Sequence, residues 1–185
     1  MKITEGKIKG LLVIEPKVFN DDRGYFFESF NQKIWSQYFN GKPPVFVQDN
    51  ESLSSKNTLR GLHFQNPPHA QGKLVRVTNG SVLDVAVDLR KGSKTYGKHE
   101  KIVLSEENKL QFYIPEGFAH GFLALEENTR FIYKCTDFYN PNCEESILWS
   151  DKNLAIDWGN NSPQLSPKDK EAQNFINFES KFFNY

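Results

Sequence analysis

The sequence predicts an all-β protein, because short runs of alternating residues and turn residues follow one another through its middle section. In residues 83–88, Leu, Val and Val alternate with Asp, Ala and Asp, which is the period-2 pattern of a strand with one buried face. Asn79-Gly80 separates this run from the apolar residues 74–77, and this dipeptide is a strong hairpin signal. Many short strands with regularly spaced turns predict a sandwich or barrel, and within that class a jelly roll.

Further elements complete this prediction. The other runs rich in strand-forming residues are 101–104, 110–114, 121–125 and 131–134. Short peripheral helices are expected at 30–39, where three large apolar residues share one face, and after Ser166, which is suited to an N-cap position. Pro167 and Asp169 then occupy the first and third helical positions. No repeat, low-complexity tract or linker divides the chain, so residues 1–185 are expected to form a single domain.

Composition excludes several broad classes of function. Lys plus Arg and Asp plus Glu number 23 each, and this balance argues against a nucleic-acid or membrane-surface binder. No apolar run approaches the roughly 20 residues that a membrane span needs. The N-terminal residues lack the apolar core of a signal peptide, so a cytoplasmic location is expected. Cys135 and Cys143 have no metal-binding spacing and are expected to be free thiols.

Several stretches are interpreted as too polar and too rich in glycine for ordinary strands, which makes them candidates for a functional site. Arg60 and His63 flank a glycine, Lys73 begins an apolar run, and His120 lies between two glycines. Tyr133 stands within an apolar run. Each residue alone also has a structural explanation, since single histidines are usually surface or core residues and basic side chains are usually solvated. Asp169 is likewise explained by its position at a helix start.

One reaction would use all of these residue types together. Removing a proton next to a ketone needs a base near neutral pKa, and imidazole supplies one at about 6.5. A lysine ammonium stabilises an enolate oxygen, and a tyrosine hydroxyl donates a proton on the opposite face. A carboxylate behind the histidine fixes its tautomer. Arginines hold a diphosphate and aromatic rings stack on a base, so the set suits a nucleotide sugar.

A family resemblance supports this interpretation. Ordered motifs at residues 59–65, 71–77, 84–90 and 114–122 resemble those of dTDP-4-dehydrorhamnose 3,5-epimerases. The closing motifs at 149–151, 156–158 and 165–169 are also similar, so the resemblance spans residues 10–169. It implies a jelly-roll, cupin-like homodimer in dTDP-L-rhamnose synthesis that needs no metal and no cofactor. The implied substrate is dTDP-4-dehydro-6-deoxy-D-glucose, epimerised at C3 and C5 to dTDP-4-dehydro-L-rhamnose through successive enolates.

The resemblance also implies a role for individual residues. By motif position His63 is the base, Asp169 its carboxylate partner, Tyr133 the general acid, and Lys73 the group beside the C4 oxygen. The positions that match nucleotide-sugar contacts are Arg23, Glu28, Gln48, Asn50, Arg60, His120, Glu144 and Lys168. Because dimers of this family exchange strands, the first two of these are expected to serve the neighbouring subunit's site.

Two departures from the family pattern keep related reactions open. Phe138 stands where several members have a tyrosine, and Phe112 where a tryptophan is common. Both changes keep an aromatic surface, but a missing hydroxyl at Phe138 would alter hydrogen bonding beside Tyr133. Epimerisation at C3 or C5 alone, in another dTDP-deoxysugar pathway, therefore remains an alternative. A 3,4-ketoisomerase, which shares the fold and the substrate, is a related alternative, although the positions of Lys73 and Tyr133 favour the epimerase.

Two alternatives use different chemistry. A metal-dependent cupin is suggested by residues 115–120, which resemble the second cupin motif, but His63 is followed by Phe64 and Gln65 instead of a second histidine. A sugar-binding β-sandwich without catalysis is the other alternative. It does not require His63 and Tyr133 to face each other across one cavity, whereas the epimerase does.

Overall fold

Two antiparallel β-sheets pack face to face in the computed structural model, which describes residues 1–183. The strands are β1 (Lys2–Glu5), β2 (Leu12–Glu15), β3 (Phe19–Asp21), β4 (Gly24–Phe26), β5 (Gln48–Ser54), β6 (Leu59–Gln65), β7 (Lys73–Asn79), β8 (Ser81–Asp88), β9 (His99–Ser105), β10 (Gln111–Ile114), β11 (Phe118–Ala124), β12 (Thr129–Cys135) and β13 (Glu144–Ser146). The helices are α1 (Gln32–Tyr38) and α2 (Pro167–Lys170), with a 3-10 turn at Phe175–Asn177.

The order of the strands confirms the jelly-roll prediction. One sheet has six strands in the order β1-β2-β10-β7-β12-β5, and the other has five in the order β13-β6-β11-β8-β9. Strands β3 and β4 form a separate hairpin. Consecutive strands repeatedly change sheet, which is why chemistry-bearing residues that are far apart in sequence meet between the two layers.

The predicted hairpin at Asn79-Gly80 is wrong, although the turn itself is present. Strand β7 pairs with β10 and β12, whereas β8 pairs with β9 and β11, so the turn carries the chain from one sheet to the other. Gly80 has a φ of +74°, and a Cβ there would lie 2.6 Å from the Thr129 hydroxyl. Asn79-Gly80 therefore correctly predicts a chain reversal. Whether the reversal forms a hairpin within one sheet or connects two sheets depends on which strands β7 and β8 pair with.

Strand β8 also differs from the prediction, because both of its faces are buried. Val82 and Ala86 pack between the sheets, while Val85 and Val87 pack on the outer side of the five-stranded sheet. The outer side is covered by the C-terminal segment, which includes Trp158 and other large residues. The residues of the cluster between the sheets are Ile8, Leu11, Val75, Val77, Val82, Ala86, Leu104, Phe112, Ile114, Phe118, Phe122 and Phe131.

Both predicted helices are confirmed, the first with shorter bounds than expected. Asn31 caps α1, its side chain accepting hydrogen bonds from the backbone N–H groups of Lys33 and Ile34. Trp35 of this helix is fully buried against the outer side of the six-stranded sheet. Ser166 caps α2 and accepts from the N–H of Asp169. This second cap matters for the site, because it holds a carboxylate against β6.

Candidate active site

A bulge between β6 and β11 turns two site residues toward the same side. Arg60 and His63 are three positions apart, so strict alternation would place them on opposite faces of the sheet. In the pairing of the two strands, His63 lies opposite His120 and Arg60 lies opposite Phe122. These pairs are three residues apart along β6 but only two residues apart along β11. The extra residue sends both side chains into the space between the sheets. Residues 59–65 are therefore a true strand, contrary to our interpretation of the sequence, and their polar side chains face a cavity.

His63 and Asp169 form a hydrogen-bonded pair. His63 Nε2 lies 2.5 Å from Asp169 Oδ1. The second carboxylate oxygen of Asp169 accepts from the Ser166 hydroxyl at 2.7 Å, and the Gly61 N–H contacts Oδ1 at 3.4 Å. Burial raises the pKa of Asp169, but the hydrogen bonds from His63 and Ser166 outweigh it and hold that pKa below its usual value. An ionised carboxylate can only accept, so Nε2 carries the hydrogen, and in the neutral imidazole the lone pair then lies on Nδ1.

Tyr133 and Lys73 stand on the opposite wall. Both come from the six-stranded sheet, and both line the same cavities as His63, with volumes of about 360 and 270 Å³. Burial raises the pKa of Tyr133, so its hydroxyl remains protonated at neutral pH. Burial lowers the pKa of Lys73, while nearby Cys135 and Asp84 oppose that change. None of the ion pairs formed within residues 1–183 involves Lys73, so its amino group is available to a ligand in the cavity.

A second histidine–carboxylate pair lies deeper in the same cavity. His120 Nε2 lies 2.9 Å from Asp84 Oδ2, and both residues are buried. The His120 ring also stacks against Phe131, with 6.0 Å between ring centroids. Burial lowers the pKa of His120 more than the neighbouring Asp84 raises it. A neutral imidazole is therefore held next to the site.

Polar groups around the cavity suit a charged, extended ligand. Gln48 and Asn50 point inward from β5 and hydrogen-bond to each other at 3.0 Å. Glu144 forms an ion pair with Lys168 at the rim. Arg60 donates to neutral oxygens of β5 and, within residues 1–183, pairs with no carboxylate. The predicted residues that line the cavity are Gln48, Asn50, Arg60, His63, Lys73, His120, Tyr133, Glu144, Lys168 and Asp169.

Arg23 and Glu28 do not join this cavity. Arg23 lies at the tip of the β3–β4 hairpin, where its side chain is 89% exposed and bound to Asp21. Glu28 accepts a hydrogen bond from Asn31 at the start of α1. Both predicted contacts are thus absent from the site formed by residues 1–183 of one chain.

The side chains of residues 1–183 that could bind a metal ion do not cluster into a metal centre. Among the residues that the structure describes, no group of three or more His, Cys, Asp and Glu side chains converges to hold a metal ion. Cys135 and Cys143 are free thiols, as expected. No helix in residues 1–183 has the length and apolar character needed to cross a membrane.

Comparison with known proteins identifies the family of this chain. A family model described as dTDP-4-dehydrorhamnose 3,5-epimerase matches residues 5–177. The chain belongs to this epimerase family. Because the family is one of epimerases, the protein is an isomerase, as the motifs predicted. The alternative of a sugar-binding β-sandwich without catalysis is set aside.

Individual relatives agree with this assignment. The dTDP-4-dehydrorhamnose 3,5-epimerase of Shigella flexneri is 52% identical over 176 residues, which cover 95% of this chain and 97% of that protein. A crystal structure of dTDP-6-deoxy-D-glucose-3,5-epimerase from Legionella pneumophila Philadelphia 1, in complex with dTDP-4-keto-L-rhamnose, has a TM-score of 0.92 and 48% identity, covering 98% of this chain and 96% of that one. A 3'-monoepimerase from Streptomyces bikiniensis in complex with dTDP-quinovose has a TM-score of 0.88 and 32% identity, covering 93% and 87%.

The two departures from the epimerase pattern have different structural meanings from those expected. Phe112 is fully buried in the cluster between the sheets and is a core residue. The Phe138 side chain is 62% exposed and lies outside the cavity lining, whereas the next residue, Tyr139, lines the cavity. The Tyr139 hydroxyl donates to Glu144 at 2.8 Å. A tyrosine hydroxyl is therefore present in the epimerase cavity despite the phenylalanine.

Tyr139 is also the main lining residue that the sequence did not single out. It follows β12 in residues 136–143, where turns and bends interrupt the chain and periodicity gives no signal. The adjacent aromatic and polar letters in residues 137–140 were the available clue. The other lining residues that were not predicted are Glu51, Ser52, Phe64, Gln65, Gln71, Phe122, Phe131 and Ser166.

Proposed function

We propose that this protein epimerises dTDP-4-dehydro-6-deoxy-D-glucose at C3 and C5 to dTDP-4-dehydro-L-rhamnose. One observation carries the proposal: His63, which is hydrogen-bonded to Asp169, and Tyr133 line one cavity from opposite sheets. Inverting a carbon next to a ketone requires removal of a proton from one face and its return to the other. A base and an acid on opposite walls meet that requirement.

Each inversion follows from these groups. His63 Nδ1 takes the proton from C5 or C3, and the C–H electrons move into the C4 carbonyl to give an enolate. The Lys73 ammonium stabilises the enolate oxygen, and this effect is strong because the side chain is removed from bulk water. The Tyr133 hydroxyl then donates its proton to the opposite face of the carbon. Solvent returns a proton to Tyr133 and takes one from His63, so the protein is unchanged after each turnover.

The remaining polar groups suit the nucleotide part of the substrate. Arg60 and Lys168 line the cavity only on the side beside Ser52 and Ser166, and we assign these two cations to the diphosphate. Gln48 and Asn50 lie on the side that includes Tyr139 and Gln71, where amide groups can contact the sugar or the base.

Incubation with the 4-keto dTDP sugar in deuterated water tests the proposal. Deuterium at both C3 and C5 and formation of the L-rhamno product are expected. Label at one carbon only would mean a single-carbon epimerase, and migration of the keto group would mean a ketoisomerase. The identity of 52% to a named 3,5-epimerase, against 32% to a 3'-monoepimerase, favours double epimerisation.

We also propose a homodimer in which Arg23 and Glu28 serve the partner's cavity. The β3–β4 hairpin that bears Arg23 exposes Phe19, Tyr25 and Phe26 by 52%, 58% and 67%, an unusual apolar surface for a hairpin exposed to solvent. Covering this surface with a second copy would bury the rings and bring Arg23 to a diphosphate.

A charged nucleotide sugar does not cross membranes unaided, so we place the enzyme in the cytoplasm. Cell fractionation checks this location.

Subunit mixing tests the dimer directly. Arg23→Ala and His63→Ala are each expected to be nearly inactive alone. When they are co-refolded, a mixed dimer contains one site with both residues intact, and random pairing restores about a quarter of wild-type activity. No recovery, with dimers confirmed by light scattering, would contradict a role for Arg23 in the partner's site.

A further inference from the structure

Gln65 is a buried amide that the proposed chemistry does not use. It ends β6 two positions after His63, points between the sheets, and is 4% exposed. Its Nε2 donates to the backbone carbonyls of His69 at 2.6 Å and Phe138 at 3.2 Å. Its Oε1 accepts from the Asn140 N–H at 2.7 Å. Both donor hydrogens are thereby used, so the amide has no hydrogen to offer a substrate.

These bonds hold the segment that carries Tyr139. Phe138 and Asn140 are its two chain neighbours, so Gln65 fixes one peptide group on each side of Tyr139. The Tyr139 N–H donates to Gln48 Oε1 at 2.9 Å. Residues 136–143 contain no strand or helix, and the N–H groups of residues 138–140 all donate to side-chain oxygens, which therefore fix the backbone around Tyr139.

We propose that Gln65 is a positioning residue that holds Tyr139 in the cavity wall. This inference rests on the proposed function, since it treats the cavity as the site for the dTDP sugar. The two carbonyls require an N–H donor at Nε2, and the Asn140 N–H requires an acceptor at Oε1. An amide satisfies both demands at once, whereas a carboxylate of the same shape would set oxygen against two carbonyls.

Kinetics of paired variants test the coupling. Gln65→Glu and Gln65→Ala are expected to raise KM for the 4-keto dTDP sugar by about tenfold, with a smaller change in kcat. Asn66→Ala is the matched control, because Asn66 is the next residue, is equally buried, and donates instead to Glu145 at 2.6 Å. It is expected to lower Tm by a similar amount while changing KM by less than about twofold. Equal KM effects in Gln65→Ala and Asn66→Ala would overturn the proposal.

A double-mutant cycle separates action through Tyr139 from a general effect. In a Tyr139→Ala background, Gln65→Ala is expected to raise KM by less than about twofold further. The same tenfold factor in both backgrounds would show that Gln65 acts independently of Tyr139, which overturns the inference.

Hydrogen exchange of the free protein distinguishes this inference from the proposed function. The Asn140 amide is expected to exchange at least about tenfold faster in Gln65→Ala, while the Leu123 amide in β11 keeps its protection. Unchanged exchange at Asn140 would overturn the positioning role whether or not the enzyme turns over. If the wild-type protein fails to convert the substrate, the proposed function fails, and exchange at Asn140 still decides the role of Gln65.

Discussion

The backbones of Gly61 and Gly121 approach so closely that a Cβ on Gly61 would lie 2.5 Å from the Gly121 Cα. Gly61 also has a φ of +130°, which side-chain-bearing residues rarely adopt. This contact lies in the bulge between Arg60 and His63, so the same feature that turns both side chains inward demands glycine on both strands.

Replacing Gly61 with alanine is therefore expected to destabilise the fold strongly. The added methyl must displace backbone atoms of β11, and we expect a loss of more than about 3 kcal/mol in the free energy of unfolding, measured by urea titration. Gly92→Ala is the control, because Gly92 has a φ of +89° with nothing within 4 Å of its Cβ position. It is expected to cost only about 1 kcal/mol through backbone strain. Similar losses in both variants would contradict the steric explanation.

His63→Ala is expected to abolish deuterium exchange at both C3 and C5. Loss of a general base typically costs about 10²- to 10⁴-fold in rate. Mass spectrometry of sugar recovered from deuterated water measures exchange at each carbon. Exchange retained at either carbon would show that a second base exists.

Asp169→Asn tests whether this carboxylate does more than stabilise the start of α2. Asparagine keeps the size of the side chain, so the helix start should persist and Tm should change little. The amide lacks the negative charge that fixes the His63 tautomer, and kcat is expected to fall by about 10²- to 10⁴-fold. An unchanged kcat would return Asp169 to a purely structural role beside Ser166.

Tyr133→Phe is expected to separate exchange from inversion. The base and the enolate-stabilising groups remain, so proton exchange should continue, while return of a proton to the opposite face should slow markedly. Comparing label incorporation with formation of the L-rhamno product measures the two processes. An equal loss of both would refute this division between His63 and Tyr133.

His120 predicts a dependence of stability on pH. Burial lowers its pKa below the ordinary value of 6.5, so the unfolded chain binds a proton more readily than the folded one. Its contribution to stability is complete at neutral pH and decreases as the pH falls from about 6.5 through the folded-state pKa. Urea unfolding near neutral pH and near about pH 5 should show a larger loss for wild type than for His120→Gln. His99, whose pKa burial also lowers, is present in both proteins and cancels in this comparison.

The sequence predicted the fold class and singled out ten of the residues that line the cavity, and the errors have physical causes. Alternation in β8 was visible, but a local pattern does not reveal that the distant C-terminal segment covers its second face. Strand β6 was misinterpreted because a bulge breaks the period of two on which the prediction depends. Tyr139 was missed because its two chain neighbours are held by hydrogen bonds to a side chain 74 residues earlier than Tyr139, and such a non-local contact leaves no mark on the local sequence pattern. His63, Lys73, Tyr133 and Asp169, which the family resemblance singled out, do line one cavity, and their catalytic roles stay predictions.

The pair formed by His63 and Asp169 joins positions separated by 106 residues. A chain emerging from the ribosome would have β6 long before it has α2, so no nascent fragment that ends before α2 contains the complete pair. The contact also needs the last segment to dock on the outside of the five-stranded sheet, which is a non-local step in folding. Recovery of epimerase activity during refolding should therefore report the final docking of the chain and lag behind formation of the sheets.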